Sequence, residues 1–524
     1  MAVFMAFAMI IAMGVTGTKT TFAANKTGSI VINNTTAGKT LHVYQIFTDS
    51  VSGNNVAYEL NDAYAGFFQA NVSGATGKTG EELSGAAYNY VKDQIGKDGS
   101  DGSNLAKALV AWVNENAATV TDTRKAVTTT ANSTTISDLA YGYYLIVPEG
   151  ATDTSKAVAS ANAQSLAMLV TVDKDTAIAI NMKSNYPTVE KKVANKNATD
   201  VNVGDTVTYT LTSTVPDMTG YKKYTFKFHD TLSNGLTFKG IQSVTVGDTT
   251  ITAGDGNDTY TLTEDGQSFT LEMNNFYASN SSADRVGKTI TVTYTATLNE
   301  DAVVGMESNT NRATVEYSND PSSDGTGTSE PSIVDVHTFD FTIFKYYENN
   351  KTNVGLSGAE FELYKVNEAG TAAGTKVTVT KESDGTEVYR QDANGTDTIV
   401  SPANGKVQVK GLKAGIYYLR ETKAPEGYNK LSHDIKIEIT ANYDESTGKL
   451  TSYKVDSTYN GVTTTGTAIS TKGTSPEVGV ENKTGAELPS TGSKGALMLT
   501  VAGAALLIAM VGSSIYSRKK KEVK

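Results

Sequence analysis

The chain has 524 residues, of which 39% are hydrophobic and 19% charged, so it suits three or four β-rich domains and is not disordered throughout. It contains no cysteine and four scattered histidines, which excludes zinc fingers, iron–sulfur clusters, thiol catalysis and disulfide scaffolds; no metal or other cofactor is expected. A formal net charge of -11 argues against nucleic acid as a partner, because nucleic acid needs a basic surface.

The N-terminal segment is typical of a secretory signal peptide. Residues 1–13 form an uncharged apolar run that is short for a membrane span, and small residues lie after it up to Ala23 and Ala24. We therefore predict a signal peptide over residues 1–23 and export of the remainder of the chain. No lysine or arginine precedes the apolar run, so a translation start upstream of Met1 stays open.

Changes in composition divide the exported chain into three modules. Polar, turn-rich stretches at 183–187 and 320–331 predict the boundaries of module one (24–185), module two (186–334) and module three (335–487). Short alternating strands rich in Thr, Val, Tyr and Ile predominate. The predicted fold class is therefore mainly β, with tandem immunoglobulin-like β-sandwiches.

Module one also carries helical periodicity. Thr79 and Glu82 form a capping box that opens a helix over residues 83–95. A second helix is predicted over residues 104–116, where apolar residues recur on one face. We expect both helices to decorate the first sandwich.

In module two, three predicted strands place a polar residue on an otherwise apolar face. The period of two puts Lys191, Asp230 and Asn311 on the same faces as their apolar neighbours two positions away. The neighbouring Lys192 points outward. Module three repeats the pattern, with Lys345 in 341–345, Glu421 in 417–421 and Asn482 in 478–482.

A lysine on an inner face has unusual chemistry, because burial disfavours its charged form and lowers its pKa. A neutral amine is a nucleophile. The inner faces of module three also carry an acid, Glu421, and a primary amide, Asn482, as candidate partners of Lys345. The alternative is an ordinary buried ion pair between Lys345 and Glu421.

Module three resembles a Cna B-type domain in the stretches LSGAEF (356–361) and YLRETKAPEGY (418–428). That family forms a spontaneous Lys–Asn isopeptide bond assisted by a buried Glu. The resemblance implies this bond between Lys345 and Asn482, with Glu421 as the acid.

Module two resembles the middle domain of sortase-assembled backbone pilins in PTVEKKV (187–193), HDTLSNGLTF (229–238) and NRATVEYSND (311–320). The resemblance implies Lys191 as nucleophile, Asp230 as acid and Asn311 as acceptor. Lys192 is the positional alternative to Lys191, and an ordinary ion pair is again the alternative to a bond.

Module one departs from this pattern. Its first strand has Asn34 where alternation would require a lysine. The strand after Gly142 reaches Pro148 where module three has its acid. We predict no internal bond in module one.

The C-terminal segment, residues 488–524, has three consecutive parts. Leu488, Pro489, Ser490, Thr491 and Gly492 precede an uncharged stretch at 496–516 and a basic tail at 518–521. Such a stretch can cross the ~30 Å hydrocarbon core of a bilayer, and the basic tail places the C-terminus inside. The order resembles the sorting signal of Gram-positive cell-wall proteins, in which a sortase cysteine cuts between Thr and Gly, here Thr491 and Gly492. An ordinary transmembrane anchor is the alternative.

Taken together, these features resemble a Gram-positive major pilin. The resemblance implies a non-enzymatic shaft subunit at the cell surface, joined covalently to other copies and to peptidoglycan. Its partners would be pilin-class and housekeeping sortases, with accessory pilins and host ligands as further candidates. The rival interpretation is a monomeric wall-anchored adhesin that binds a host or matrix protein through module one.

The lysine that would receive the Thr of another copy is not specified by motif. The family places it in a Tyr-Pro-Lys context, whereas this chain has Tyr186, Pro187 and Thr188. Lys183 is predicted to point outward beside a module boundary and is the first choice. Lys192 is the second.

Overall fold

The computed structural model of the chain describes residues 26–52, 55–97, 103–151, 167–182, 186–218, 220–321, 323–383 and 387–485. The predicted signal peptide and the predicted sorting signal from Leu488 onward lie outside these ranges. Within them, no helix combines the length and hydropathy needed to cross a bilayer.

Module one packs helices against one of its two sheets. Its strands are β1 (Thr27–Thr35), β2 (Thr40–Ser52), β3 (Asn55–Leu60), β4 (Arg124–Thr128), β5 (Asn132–Ala140), β6 (Gly142–Pro148), β7 (Met168–Val172) and β8 (Ile178–Asn181). Its α-helices are α1 (Ala65–Asn71), α2 (Gly80–Lys97), α3 (Ser103–Glu115) and α4 (Ala117–Val120), with 3₁₀ turns at Asp62–Tyr64 and Thr121–Thr123. Both predicted helices are confirmed, as α2 and α3.

The sheets of module one have the orders β5-β1-β8 and β3-β2-β6-β7, with β4 also paired to β2. The helices cover the second sheet. Phe67 and Phe68 of α1, and Leu105 and Leu109 of α3, are buried in the same cluster as Leu145 of β6. The helical periodicity of the sequence is therefore explained by burial of one helix face.

Module two is a β-sandwich whose strands form one hydrogen-bonded path. They are β9 (Glu190–Val193), β10 (Ala198–Asp200), β11 (Thr206–Thr214), β12 (Phe226–Leu232), β13 (Leu236–Val246), β14 (Thr249–Ala253), β15 (Thr259–Asp265), β16 (Ser268–Met273), β17 (Thr289–Leu298), β18 (Asn309–Ser318), β19 (Thr326–Thr328) and β20 (Ser332–His337), with α5 at Phe276–Asn280. The order is β10-β20-β18-β12-β16-β15-β14-β13-β17-β11-β9, with β19 also on β18.

Alternation explains these strands. In β17, Ile290, Val292, Tyr294, Ala296 and Leu298 are buried, while the threonines between them face outward. Threonine is β-branched and suits the solvent side of a half-buried strand.

Module three is a two-sheet sandwich. Its strands are β21 (Phe339–Asn349), β22 (Thr352–Gly355), β23 (Glu360–Val366), β24 (Ala373–Val377), β25 (Val379–Lys381), β26 (Val388–Gln391), β27 (Ile399–Val400), β28 (Lys406–Leu412), β29 (Gly415–Lys423), β30 (Ile435–Tyr443), β31 (Leu450–Tyr459), β32 (Val462–Thr464) and β33 (Glu477–Glu481). One sheet has the order β22-β21-β28-β26-β25 with β33 on β21; the other has β24-β23-β29-β30-β31-β32 with β27 on β23. The first and last strands, β21 and β33, are parallel neighbours.

Within the polar stretch predicted to separate modules two and three, residues 326–328 form a strand of module two instead. β19 pairs with β18, and β20 pairs with both β18 and β10. The predicted boundary at 334/335 therefore falls inside β20. Only Thr338 separates β20 from β21.

Hydrogen bonds from side chains and backbone groups connect modules two and three. The carboxylate of Asp200 accepts hydrogen bonds from the backbone N–H of Ala414 (2.8 Å) and the hydroxyl of Tyr443 (3.1 Å). The N–H of Val203 donates to the carbonyl oxygen of Gly411 at 3.0 Å. These contacts hold the two sandwiches together without an intervening flexible segment.

Candidate functional site: two buried lysine–acid–asparagine triads

The first triad lies in the core of module two. Lys191 is on β9, Asp230 on β12 and Asn311 on β18, and these residues are 1%, 1% and 0% exposed. β12 and β18 are neighbours in register, with Asp230 opposite Ala313. Lys191 reaches them from the strand at the far end of the hydrogen-bonded path, so the sandwich brings the three together by closing on itself.

The amine of Lys191 contacts both of its predicted partners. Its Nζ donates to Oδ2 of Asp230 and, at 2.7 Å, to Oδ1 of Asn311. The oxygen it touches on Asn311 belongs to the carbonyl that a nucleophilic amine would attack.

A fourth residue completes this cluster. The hydroxyl of Tyr294 accepts a hydrogen bond from Lys191 Nζ at 2.6 Å and one from Nδ2 of Asn311 at 2.8 Å, and it donates to Oδ2 of Asp230 at 2.9 Å. The rings of Tyr294 and Tyr209 stack 5.1 Å apart, and Nζ lies 5.2 Å and 5.4 Å from their centres. Sequence reasoning missed both tyrosines. Both lie on the inner faces of alternating strands, where tyrosine is common, so the sequence pattern did not single them out.

Burial sets the electrostatics of the module-two triad. It lowers the pKa of Lys191 to about 8, an effect that the neighbouring Asp230 opposes. It also raises the pKa of Asp230, against the influence of Lys191 and the surrounding hydrogen bonds. Desolvation thus favours the neutral forms of both partners, an amine and a carboxylic acid.

The second triad lies in the core of module three. Lys345 on β21, Glu421 on β29 and Asn482 just after β33 are 0%, 3% and 1% exposed. Parallel pairing of β21 with β33 brings Lys345 beside Val480. The N–H of Asn482 donates to the carbonyl oxygen of Tyr346 at 2.9 Å, which fixes the chain as it leaves β33.

Glu421 bridges the other two members of this triad. Its Oε1 lies 3.0 Å from Nζ of Lys345, and its Oε2 accepts a hydrogen bond from Nδ2 of Asn482 at 3.1 Å. The same Nδ2 donates to the carbonyl oxygen of Asn429 at 2.9 Å, and Glu421 Oε2 also accepts from the N–H of Leu431 at 2.7 Å. Burial lowers the pKa of Lys345 to about 8, with Glu421 opposing the shift.

Module one has no counterpart to these triads among its described residues. Its buried polar side chains there are those of threonine and serine, with no lysine among them. Asn34, at the position where a lysine would be required, is exposed and has a φ of 62°.

The remaining predicted site residues fall outside the triads. Leu488 to Gly492 and Lys183 lie beyond the described ranges. Lys192 is half-buried, and its Nζ contacts Oε1 of Glu190 and Oδ1 of Asn197, each at 2.8 Å. Over the described part of the chain, no group of three or more His, Asp or Glu is placed to hold a metal ion.

Each triad therefore holds an amine, a carboxyl group and a primary amide in one buried core. This is the set of groups that amide exchange requires; Glu421 contacts the amide nitrogen directly, and Asp230 reaches the amide of Asn311 through the hydroxyl of Tyr294. The same groups could rest as an ion pair, but a buried ion pair is a costly way to stabilise a core.

Three family models match this chain. A Gram-positive pilin backbone subunit 2, Cna-B-like domain matches residues 203–321, a prealbumin-like fold domain (SpaA) matches 341–454, and an LPXTG cell wall anchor motif matches 480–524. These matches define a cell-wall-anchored surface protein built from Cna-B-like sandwiches.

The curated relatives narrow this class. Fimbrial subunit type 2 of Actinomyces naeslundii is 29% identical over 350 residues, covering 61% of this chain and 58% of that protein. The trypsin-resistant surface T6 protein of Streptococcus pyogenes is 29% identical over 397 residues, covering 64% of this chain and 70% of that protein. The solved T6 backbone pilin of serotype M6 is 18% identical with a TM-score of 0.43, covering 80% of this chain and 84% of that one. By its matched domains and its curated relatives, the chain is similar to fimbrial subunits and pilin backbone proteins of Gram-positive bacteria.

Proposed function

We propose that this chain is the structural subunit of a covalently polymerised surface pilus, anchored to peptidoglycan by sortase and supporting adhesion. The observation that carries the proposal is the succession of matches: an LPXTG anchor directly follows two pilin-type domains. A buried triad in each domain supports the same function. In this role the chain is a substrate of sortases and not an enzyme acting on other molecules.

The assembly chemistry would use the C-terminal motif. A sortase cysteine attacks the carbonyl of Thr491, the bond to Gly492 breaks, and the Gly492 amine leaves with a proton. The resulting thioester passes the Thr491 acyl group to an amine. A pilin-class sortase would supply an amine of another copy, and a housekeeping sortase would supply peptidoglycan. Accessory pilins and host ligands are further proposed partners.

Each triad would form an internal isopeptide bond in a single turnover. The neutral amine of Lys191 attacks Cγ of Asn311, the C–N bond of the amide breaks, and ammonia leaves with a proton delivered through Asp230. Lys345, Asn482 and Glu421 do the same in module three. The hydrogen bond from Lys191 Nζ to Asn311 Oδ1 and the contact of Glu421 with both of its partners support these assignments.

Cell-wall extracts test the polymer. Cells that express this chain with a pilin-type sortase should give a ladder of high-mass species, and Thr491→Ala should abolish it. Ser490→Ala is the matched control, because the motif tolerates variation at that position, and its ladder should remain. A single monomeric band from wild-type cells would contradict the proposal and favour a monomeric adhesin.

A further inference from the structure

One lysine outside the triads is held at the contact between modules one and two. Lys39 lies in the turn between β1 and β2, half-buried. Its Nζ donates to the hydroxyl of Tyr317 at 2.9 Å and to the carbonyl oxygen of Thr328 at 2.7 Å. The same atom lies 5.1 Å from the centre of the Tyr186 ring and 5.4 Å from that of Tyr317.

The backbone of Lys39 is also held by hydrogen bonds. Its N–H donates to Oγ1 of Thr129 at 2.9 Å, and that hydroxyl lies 3.0 Å from the Lys39 carbonyl oxygen. Thr129 is 3% exposed. The backbone of Lys39 is therefore held by module one, and its side chain extends to contacts with module two.

The pKa of Lys39 shifts in the same direction as the pKa values of the two triad lysines. Burial lowers its pKa, as it lowers the pKa of Lys191 and Lys345, and Glu330 opposes the effect. Its two tyrosines parallel the pair that surrounds Lys191. The difference is in the partners: among the described residues, no carboxylate lies within ion-pair distance of Lys39 Nζ, and its two acceptors are a phenol and a peptide carbonyl.

The environment of Lys39 would accommodate acylation. A secondary amide keeps one N–H, which can still donate to Thr328 or Tyr317, while the charge that burial disfavours is removed. Lys192, by contrast, contacts the carboxylate of Glu190 and the amide oxygen of Asn197, each at 2.8 Å. The triad lysines are inaccessible to an enzyme.

We propose that Lys39 is the amine that receives the Thr491 acyl group of another copy, an inference that rests on the proposed shaft function. In this step the neutral Nζ attacks the Thr491 carbonyl carbon of the sortase thioester. A C–N bond forms, the C–S bond breaks, and the proton lost by the amine goes to the sortase thiolate. Tyr186 and Tyr317 would position the amine and limit its hydration.

Peptide mapping of wild-type polymer tests this assignment directly. Trypsin cleaves after Lys483 and Lys26 but not after an acylated Lys39, so residues 484–491 should appear joined to residues 27–78. Finding 484–491 joined instead to a peptide containing Lys183, Lys192 or another lysine would overturn the inference while leaving the shaft function intact.

Substitution of Lys39 provides a second test of the assignment. Lys39→Arg keeps a positive charge and N–H donors but is not acylated, so the ladder should disappear while monomer still reaches the wall. Lys192→Arg and Lys183→Arg are matched controls that should keep the ladder. A ladder retained in Lys39→Arg would overturn the inference. If wild-type cells expressing the sortase give no ladder, the proposed function and this inference fail together. If Lys39→Arg does not reach the surface, the branched peptide from wild-type polymer shows whether Lys39 is the acceptor.

Discussion

The triads of modules two and three use the same kinds of side chain but divide their contacts differently. In module two, Lys191 Nζ contacts the amide oxygen of Asn311 directly, at 2.7 Å. In module three, the amide oxygen of Asn482 has no hydrogen-bond partner among the described residues, and it is the amide nitrogen that Glu421 and Asn429 hold. Under the proposed chemistry, the contacts of module two favour attack on the carbonyl carbon, and those of module three favour departure of the amide nitrogen.

The acids differ accordingly. Asp230 presents a single oxygen, Oδ2, to both Lys191 and Tyr294, so a phenol relays its contact to the amide. Glutamate is longer by one methylene and reaches both partners itself, one with each oxygen. Asp230 together with Tyr294, and Glu421 alone, are therefore two ways of connecting a carboxyl group to both the lysine and the asparagine.

The largest expected effect comes from removing an acid. Asp230→Ala should abolish the loss of one ammonia from module two, and Glu421→Ala should abolish the loss from module three, because each acid is needed to protonate the leaving nitrogen. Intact-mass measurement of a recombinant fragment covering modules one to three (24–487) checks this. The wild-type fragment should be lighter than the mass calculated from its sequence by two ammonia molecules. Each variant is the control for the other module. A wild type at its full sequence mass would contradict both bonds.

A smaller effect is expected from removing the acceptor amide. Lys191 and Asn311 are 120 positions apart, and by analogy with a disulfide, closing such a loop contributes about 5 kcal/mol to the free energy of unfolding. Asn311→Ala should lower the melting temperature and admit trypsin to module two, while the far-ultraviolet spectrum stays β-rich. Asn482→Ala is the parallel change in module three. Complete unfolding of either variant would indicate that the bond specifies the fold.

The smallest expected effect comes from removing the tyrosine hydroxyl that is present in the module-two triad but not in the module-three triad. Tyr294→Phe removes the phenolic oxygen that contacts Lys191, Asp230 and Asn311 but keeps the ring, so bond formation in module two should slow about 100-fold, the low end for loss of one proton-transferring group. Module three has no tyrosine in its triad and should be unaffected, which makes it an internal control. The rate of mass loss after synthesis of each module gives the readout. Equal rates in wild type and variant would remove Tyr294 from the chemistry.

Period-two alternation was enough to place the triad residues on inner faces. Lys191 and Lys345 were detectable because a lysine among apolar neighbours violates the expected pattern, and the structure buries both. Tyr294 could not be found in this way, since tyrosine is an ordinary residue of buried strands. Its role depends on which strands face each other across the sandwich, and that is a tertiary property.

The segments that sequence reasoning misjudged are polar and short. Residues 326–328 were predicted to be a linker because Thr-Gly-Thr carries no apolar signal, yet the edge of β18 pairs with them as β19. Lys39 had no signal at all. It sits in a turn, and its surroundings are created only when module one docks on Tyr317 and Thr328 of module two.

The parallel pairing of β21 and β33 also sets a direction. Because the first and last strands of module three run the same way, the chain enters this module at one pole and leaves it at the other. Copies joined end to end would then all point in one direction and meet through unlike surfaces, a heterologous contact that does not close as a two-fold dimer does. Such a filament is polar and has no geometric stopping point, so its length would be set by the supply of subunits and by the moment of transfer to the wall.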